Sequence, residues 1–329
     1  MLPTGLHALL LAAGAVLGAP EPGTIVTVLG PIRPAELGVT LTHEHILVDF
    51  IGADMVSPER YDRDDVHSVM LPYLLDLKEA GVDALVECTP SYLARDPGLL
   101  RRLSDDSRVK ILTNTGLYKE PFLPRWALDA DAATIAAAWV REAVDGIEPD
   151  GIGPGFIKIA ANEGPLSETQ RKIVRAAAIA SRETGLAIAC HTTTAATALE
   201  ELDILAEESV PGDRLIVVHA DADPDLATHA RIAARGAWLS YDAIRAENAD
   251  KRLPLVKEGL ARWPEQLLIS QDAGWYNVGE PGGGKIVPWS WLPRSFLPML
   301  LGAGVPQSDI DRLLRTNAAR AFAVRGAGG

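Results

Sequence analysis

Cysteine is nearly absent from this 329-residue chain, which has only Cys88 and Cys190. A disulfide framework is thereby excluded, and because both sit inside apolar runs, each is expected as a small buried thiol. Basic side chains are also in deficit, 31 Lys and Arg against 44 Asp and Glu, which leaves a formal net charge of -13. A surface of that sign repels a phosphate backbone, and no cluster of Lys and Arg is dense enough to make a local basic groove. Nucleic acid is therefore excluded as a partner. Beyond residue 20 no run of about 20 apolar residues occurs, so no membrane span or membrane partner is expected. Low-complexity tracts, linkers and internal repeats beyond the strand and helix units described below are missing as well.

What remains is ordinary for a folded domain, 47% hydrophobic and 23% charged. The length would allow two average domains, yet α/β barrels commonly use about 250 residues or more as one unit. Ala8 to Leu17 form a short apolar stretch ahead of Gly18-Ala19-Pro20, with the length of a signal-peptide core, although the first seven residues carry no Lys or Arg. Residues 1–20 are read as a signal peptide or a disordered N-terminus, and 21–329 as one domain. A cleaved signal would place the protein in the periplasm or outside the cell; otherwise it is cytoplasmic.

After residue 24 short apolar runs alternate with longer amphipathic stretches, the pattern of strand and helix units around a parallel sheet. Eight strands are expected, near 39–43, 84–88, 109–114, 155–159, 186–190, 215–218, 236–240 and 267–271. Asp64 and Asp65 open a helix that Gly81 closes; Ser167 and Gln170 have capping-box spacing and Gly185 ends that helix. Eight such units in about 280 residues fit one closed (β/α)8 TIM barrel. Thr24 to Thr40, with Gly30-Pro31 inside it, reads as a small hairpin capping the barrel's bottom.

Histidine is scarce too, seven in all, yet four of the seven stand at the downstream ends of these runs. His43 and His45 end the first, His191 the fifth and His219 the sixth; Lys158 ends the fourth and Asp272 the eighth. Polar groups so placed converge on one mouth of a parallel barrel. Two histidines one residue apart on a strand point to the same side and can share a metal. Nitrogen and carboxylate ligands of this mix suit zinc, iron, manganese or cobalt. Lys158 has two readings: a Schiff-base lysine, which needs an apolar pocket, or a lysine carboxylated by carbon dioxide that bridges two metals. The surrounding histidines favour the second. His67 and His229, flanked by polar residues, are expected at the surface without function, and Glu87 is expected to steady a nearby ligand.

The string Thr40-Leu41-Thr42-His43-Glu44-His45, the string Phe156-Ile157-Lys158-Ile159-Ala160 and the spacing to His191, His219 and Asp272 resemble the phosphotriesterase family of the amidohydrolase superfamily, including its phosphotriesterase-like lactonases. The resemblance covers roughly residues 24–325. It implies a binuclear centre with two divalent ions, zinc first and iron, manganese or cobalt next. His43, His45 and Asp272 would hold the more buried ion and His191 and His219 the more exposed one. N6-carboxylated Lys158 and a hydroxide would bridge the two, and Asp272 would orient that hydroxide and carry its proton away. It also implies a homodimer.

Substrate specificity is carried by fewer residues. Tyr118, after the third strand, stands where the lactonase-like members resemble this chain in having tyrosine, and its hydroxyl can bond the reacting oxygen or the leaving group. The long segment from Ala273 to Trp291 brings Trp275, Tyr276, Trp289 and Trp291, either to line an apolar pocket or to pack the loop. Its Gly-rich tract before Lys285 lacks the Ser or Thr and the strand-to-helix context of a phosphate loop. Arg245 is expected either to bind a substrate carboxylate or carbonyl, or to pair with Asp242 or Glu247; the surrounding segment departs from the lactonase pattern. The expected activity is the opening of a lactone or cleavage of a related carboxylic ester, with promiscuous phosphotriester hydrolysis. The alternatives are a dedicated organophosphate triesterase and a non-catalytic binding protein on the same barrel.

Overall fold

A computed structural model describes residues 18–192, 194–223 and 225–326. Up to residue 17 the segment read as a signal peptide lies outside the described residues. Hairpin strands β1 (Ile25–Thr27) and β2 (Gly30–Ile32) pair antiparallel. The barrel strands are β3 (Thr40–Val48), β4 (Ala84–Glu87), β5 (Lys110–Leu112) continued after Thr113 by β6 (Asn114–Thr115), β7 (Phe156–Ala160), β8 (Ile188–His191), β9 (Leu215–Val218), β10 (Trp238–Tyr241) and β11 (Leu267–Ile269). A further short strand, β12 (Gly274–Asn277), follows the last. The expected strands are all found, and the first runs on to Val48 instead of stopping near residue 43.

All barrel pairings are parallel, β11-β10-β9-β8-β7-β6 in one run and β12-β3-β4-β5 in the other. Parallel neighbours need helical crossovers, and sequence signals place them. Asp62 caps α1 (Arg63–Glu79), its carboxylate accepting from the amides of Asp64 and Asp65. In the next helix to be named, α2 (Pro97–Ser107), Asp96 does the same for Leu99. The capping box read at Ser167 and Gln170 forms with both hydrogen bonds, 3.2 and 2.9 Å, and Gly185 ends that helix in the left-handed conformation. Among the described residues no helix is long and apolar enough to cross a membrane.

Strand period two divides the core. Ala84, Val86, Phe156, Ala189, Ile216, Val218, Trp238 and Leu268 form an inner cluster, plugged at the strands' N-terminal ends by Ile25, Leu37 and Phe322. Their neighbours Leu85, Ile157, Ile188, Leu215, Leu239 and Leu267 pack outward against the helices. Toward the strands' C-terminal ends polar groups replace the inner apolar layer.

The barrel closes between β3 and the β11–β12 segment. The His45 amide donates to the Ala273 carbonyl at 2.9 Å and the Asp272 amide to the His43 carbonyl at 3.0 Å. Gly274 sits here at φ +95°, and a Cβ on it would lie 1.9 Å from the His45 carbonyl oxygen and 2.6 Å from the Trp289 ring. Backbone on one side and a fully buried indole on the other leave no room to yield. Gly274→Ala is expected to lower unfolding stability by about 2 kcal/mol or more, checked by urea denaturation, with loss of soluble expression as the extreme outcome.

Candidate metal centre

The strand ends carry the six expected residues into one place. His43 and His45 come from β3, Lys158 from β7 and His191 from β8; His219 follows β9, and Asp272 lies in the turn between β11 and β12. They form the floor of a cavity of about 60 Å³, whose walls are Val48, Phe50, Pro90, Leu93, Tyr118 and Trp275. Asp272 Oδ1 is 3.3 Å from His45 Nε2 and 3.8 Å from His43 Nε2. On the other side His219 Nε2 faces His191 Nδ1 at 3.0 Å.

These groups fit a metal by their state as well as their position. Asp272 Oδ1 is buried and has no hydrogen-bond partner, a costly state for a carboxylate oxygen that a cation beside it would relieve. Burial alone would raise that carboxyl, but the imidazoles of His43 and His45 outweigh it and hold Asp272 well below the usual range. Burial pushes His45 down to about 4, and lowers His191 further with the help of His219, Lys158 and Lys119. Neutral imidazoles facing an ionised carboxylate are the ligand state that metal binding requires. Lys158 is 1% exposed and makes no ion pair among the described residues. Two groupings, His43–His45–Asp272 and His43–His219–Asp242, are compact enough to hold an ion.

Asp242, in the second grouping, is better placed as a holder than as a ligand. Its carboxylate lies 3.0 Å from His43 Nδ1 and 2.6 Å from His219 Nδ1, and it also accepts from the His219 amide. The contact with His219 Nδ1 is a hydrogen bond that holds that ring with Nε2 toward the cavity; the His43 ring lies against the same carboxylate at ion-pair distance. The sequence reading considered Asp242 only as a partner of Arg245. Yet it directly follows the apolar run of β10, so the strand-end criterion that found the other residues, applied to the seventh strand, would have found it.

Glu44 was passed over as well. It is fully buried between the two β3 histidines and accepts from Ser270 Oγ at 2.7 Å, the Gln271 amide at 2.9 Å and the Ala273 amide at 2.7 Å. The only signal for it is a carboxylate inside an apolar strand. Glu87 steadies His45 through a neighbour, as expected of it: it accepts from the Thr89 amide at 3.1 Å, and Thr89 Oγ1 meets His45 Nδ1 at 2.9 Å.

At the rim, the Tyr118 hydroxyl lies 3.5 Å from His191 Nδ1. Trp275 stacks on His45 with ring centroids 3.9 Å apart, and Phe50 and Phe122 complete an aromatic wall with Tyr118. Tyr276, grouped with Trp275 in the sequence reading, is instead buried against Gly283 of its own loop, because side chains alternate along β12. Trp289 is likewise buried as packing. Arg245 pairs with neither Asp242 nor Glu247: it donates to the Asp272 carbonyl at 2.7 Å and lies 3.7 Å from the Asp272 carboxylate, since Asp242 is already taken up by two imidazoles. His67 and His229 are not free surface residues. His67 is largely buried and 2.7 Å from Asp106, while His229 is fully buried between the Tyr241 hydroxyl and the Ala220 carbonyl.

A family model described as the phosphotriesterase family matches residues 23–322. The chain is 26% identical over 306 residues to an aryldialkylphosphatase from Saccharolobus solfataricus, covering 88% of this chain and 96% of the relative. It is 25% identical over 344 residues to an N-acetyltaurine hydrolase from Tetraodon nigroviridis, covering 90% and 96%. The solved phosphotriesterase from Mycobacterium tuberculosis superposes with a TM-score of 0.81 at 27% identity, over 92% of this chain and 99% of that one.

Asp242→Asn tests the holding role. An amide presents NH2 to one of the two Nδ1 atoms, and that imidazole must then carry its proton on Nε2, the edge facing the cavity. Metal affinity is expected to fall about 10- to 100-fold with the fold retained, measured by competition against a chelator.

Proposed function

The chain belongs to the phosphotriesterase family, and from that premise we propose that it is a metal-dependent hydrolase that opens a lactone or cleaves a related carboxylic ester. His43, His45 and Asp272 would hold one divalent ion and His191 and His219 a second, zinc being the first candidate for both, with iron, manganese or cobalt next. Lys158, as its carbon dioxide adduct, would stand between them. Bound there, such ions supply Lewis acidity, making water a nucleophile near neutral pH and polarising the bond to be attacked. The observation that carries this reading is the orphaned Asp272 Oδ1 between two imidazole Nε2 atoms.

The chain's own side chains have distinct tasks. Asp242 holds the His219 ring by a hydrogen bond at Nδ1 and lies against the His43 ring at ion-pair distance. Asp272, ionised and acceptor-only, takes the proton of the attacking water. Trp275 and Phe50 exclude bulk water from the floor, and the Tyr118 hydroxyl is within reach of an oxygen seated above His191. Arg245, anchored on the Asp272 carbonyl, fixes the turn that aims the carboxylate and has donors left over for a substrate carbonyl.

The names of the relatives support a second reading. An aryldialkylphosphatase and an N-acetyltaurine hydrolase are similar to this chain to the same degree, so phosphotriester and acyl-amide cleavage both belong on a substrate panel. A specificity constant for an aryl dialkyl phosphate more than about a hundredfold above those of a lactone and ester series, some 2.7 kcal/mol, would make phosphotriester hydrolysis the primary activity. Lys158→Ala is expected to bind at most one equivalent of metal, and a short carboxylic acid such as propionate is expected to restore the second. Metal analysis of the dialysed variant with and without the acid checks this; two tightly held equivalents without rescue would remove Lys158 from the centre.

A further inference from the structure

We propose that Lys119 is a specificity-determining residue that holds an anionic group of the substrate, a carboxylate or sulfonate, at the rim of the site. The proposal rests on the hydrolase reading above and deepens it by naming the substrate class. Lys119 follows Tyr118 in the loop after β6 and is half-buried. Its Nζ lies 2.9 Å from His191 Nε2, 3.3 Å from the Ala161 carbonyl and 5.5 Å from the centroid of the Tyr118 ring. Among the described residues no carboxylate is within ion-pair distance of it. In a chain with 44 acidic and 31 basic side chains, a partly desolvated ammonium beside the candidate centre, with Glu163 acting on it only from beyond ion-pair distance, is a costly placement, and an anion that arrives with the ligand would offset that cost.

The proton pattern around His191 shows why the ammonium is available. The Lys119 ammonium can only donate, so His191 Nε2, 2.9 Å away, accepts from it, and the neutral His191 ring carries its proton on Nδ1, the edge 3.0 Å from His219 Nε2. Were His191 to serve as a metal ligand through the edge that faces His219, its proton would sit on Nε2, the edge that faces Lys119, and two donors would oppose each other. Lys119 would then keep the Ala161 carbonyl and have N–H groups free for an acceptor at the rim beside Tyr118. The neighbouring walls, Phe50 and Trp275, are aromatic and provide no countercharge.

The test uses the metal-loaded protein and three para-substituted phenyl acetates bearing a carboxylate, a sulfonate or a methyl group. In Lys119→Met the ratio of kcat/KM for the charged esters over the methyl ester is expected to fall about 30-fold, through KM, and Lys119→Arg is expected to restore most of it. The carboxylate and sulfonate arms distinguish the two anions. Binding of 4-hydroxybenzoate, followed by calorimetry, is expected to weaken by a similar factor with two metal equivalents retained. An unchanged ratio and unchanged binding would overturn the proposal, as would loss of metal in Lys119→Met, which would make the lysine a support for His191. If none of the esters is hydrolysed by the unaltered protein, the ester reading fails, and the calorimetric comparison still decides on Lys119.

Discussion

The buried carboxylate of Glu44 is the interaction on which the rest of the structure depends. It sits inside β3, where an uncompensated charge is costly, and burial outweighs the donors around it and leaves its carboxyl raised to about 8. Three donors from Ser270, Gln271 and Ala273 converge on it and pull the other way. Those donors all lie in the turn between the last barrel strand and β12. One side chain therefore closes the barrel between its first and last strands and fixes the turn from which Asp272 projects. The apolar cluster around Leu268 and Phe156 stabilises the barrel without specifying that seam; the carboxylate, which accepts only where donors are aimed at it, specifies it.

The turn needs such a clamp because its backbone is strained. Asp272 has φ +52° and Trp275 φ +74°, and His219 on the opposite side of the floor has φ +61°. Non-glycine residues in this region cost about 1 kcal/mol or more each and persist only where the surroundings over-determine them. Glu44 and Arg245 restrain the first site, through the amides on either side of Asp272 and through its carbonyl. Asp242 restrains the other, accepting from both the amide and the ring of His219. Two buried carboxylates thus hold two strained strand ends, and between them the imidazole nitrogens and Asp272 Oδ1 meet.

This explains what was legible in the sequence. Strand and helix alternation follows from period-two burial and from capping chemistry at Asp62, Ser167 and Gly185, all local, so the eight strands and the hairpin could be read directly. The six strand-end residues were legible because the barrel topology turns a sequence offset into a common direction. Glu44 was not, because its partner is remote, Ser270 lying 226 residues away; Asp242 was legible by its strand-end position, but its partner His219, 23 residues away, was not. Arg245 was assigned to near neighbours for the same reason, and its partner Asp272 is 27 residues away. His229 looked like a surface residue because its flanks are polar, yet the helix turns that one position onto the Tyr241 hydroxyl.

The floor and the walls of the cavity obey different constraints. On the floor imidazoles and carboxylates face one another within 4 Å, and changing one member leaves another buried with its partner gone; such a set has few alternatives. The walls include Phe50, Tyr118 and Trp275, which pack by area and edge contact and tolerate exchange of one apolar shape for another. Relatives of equal similarity whose names point to a phosphotriester and an acyl taurine are what this division produces. Discrimination among substrates then falls to polar groups at the rim, because one misplaced hydrogen-bonding or charged group costs a wrong ligand more than one misplaced methylene. Tyr118 and Lys119 are polar groups of that kind beside the cavity, and they stand on a loop rather than a strand, away from the Glu44 seam.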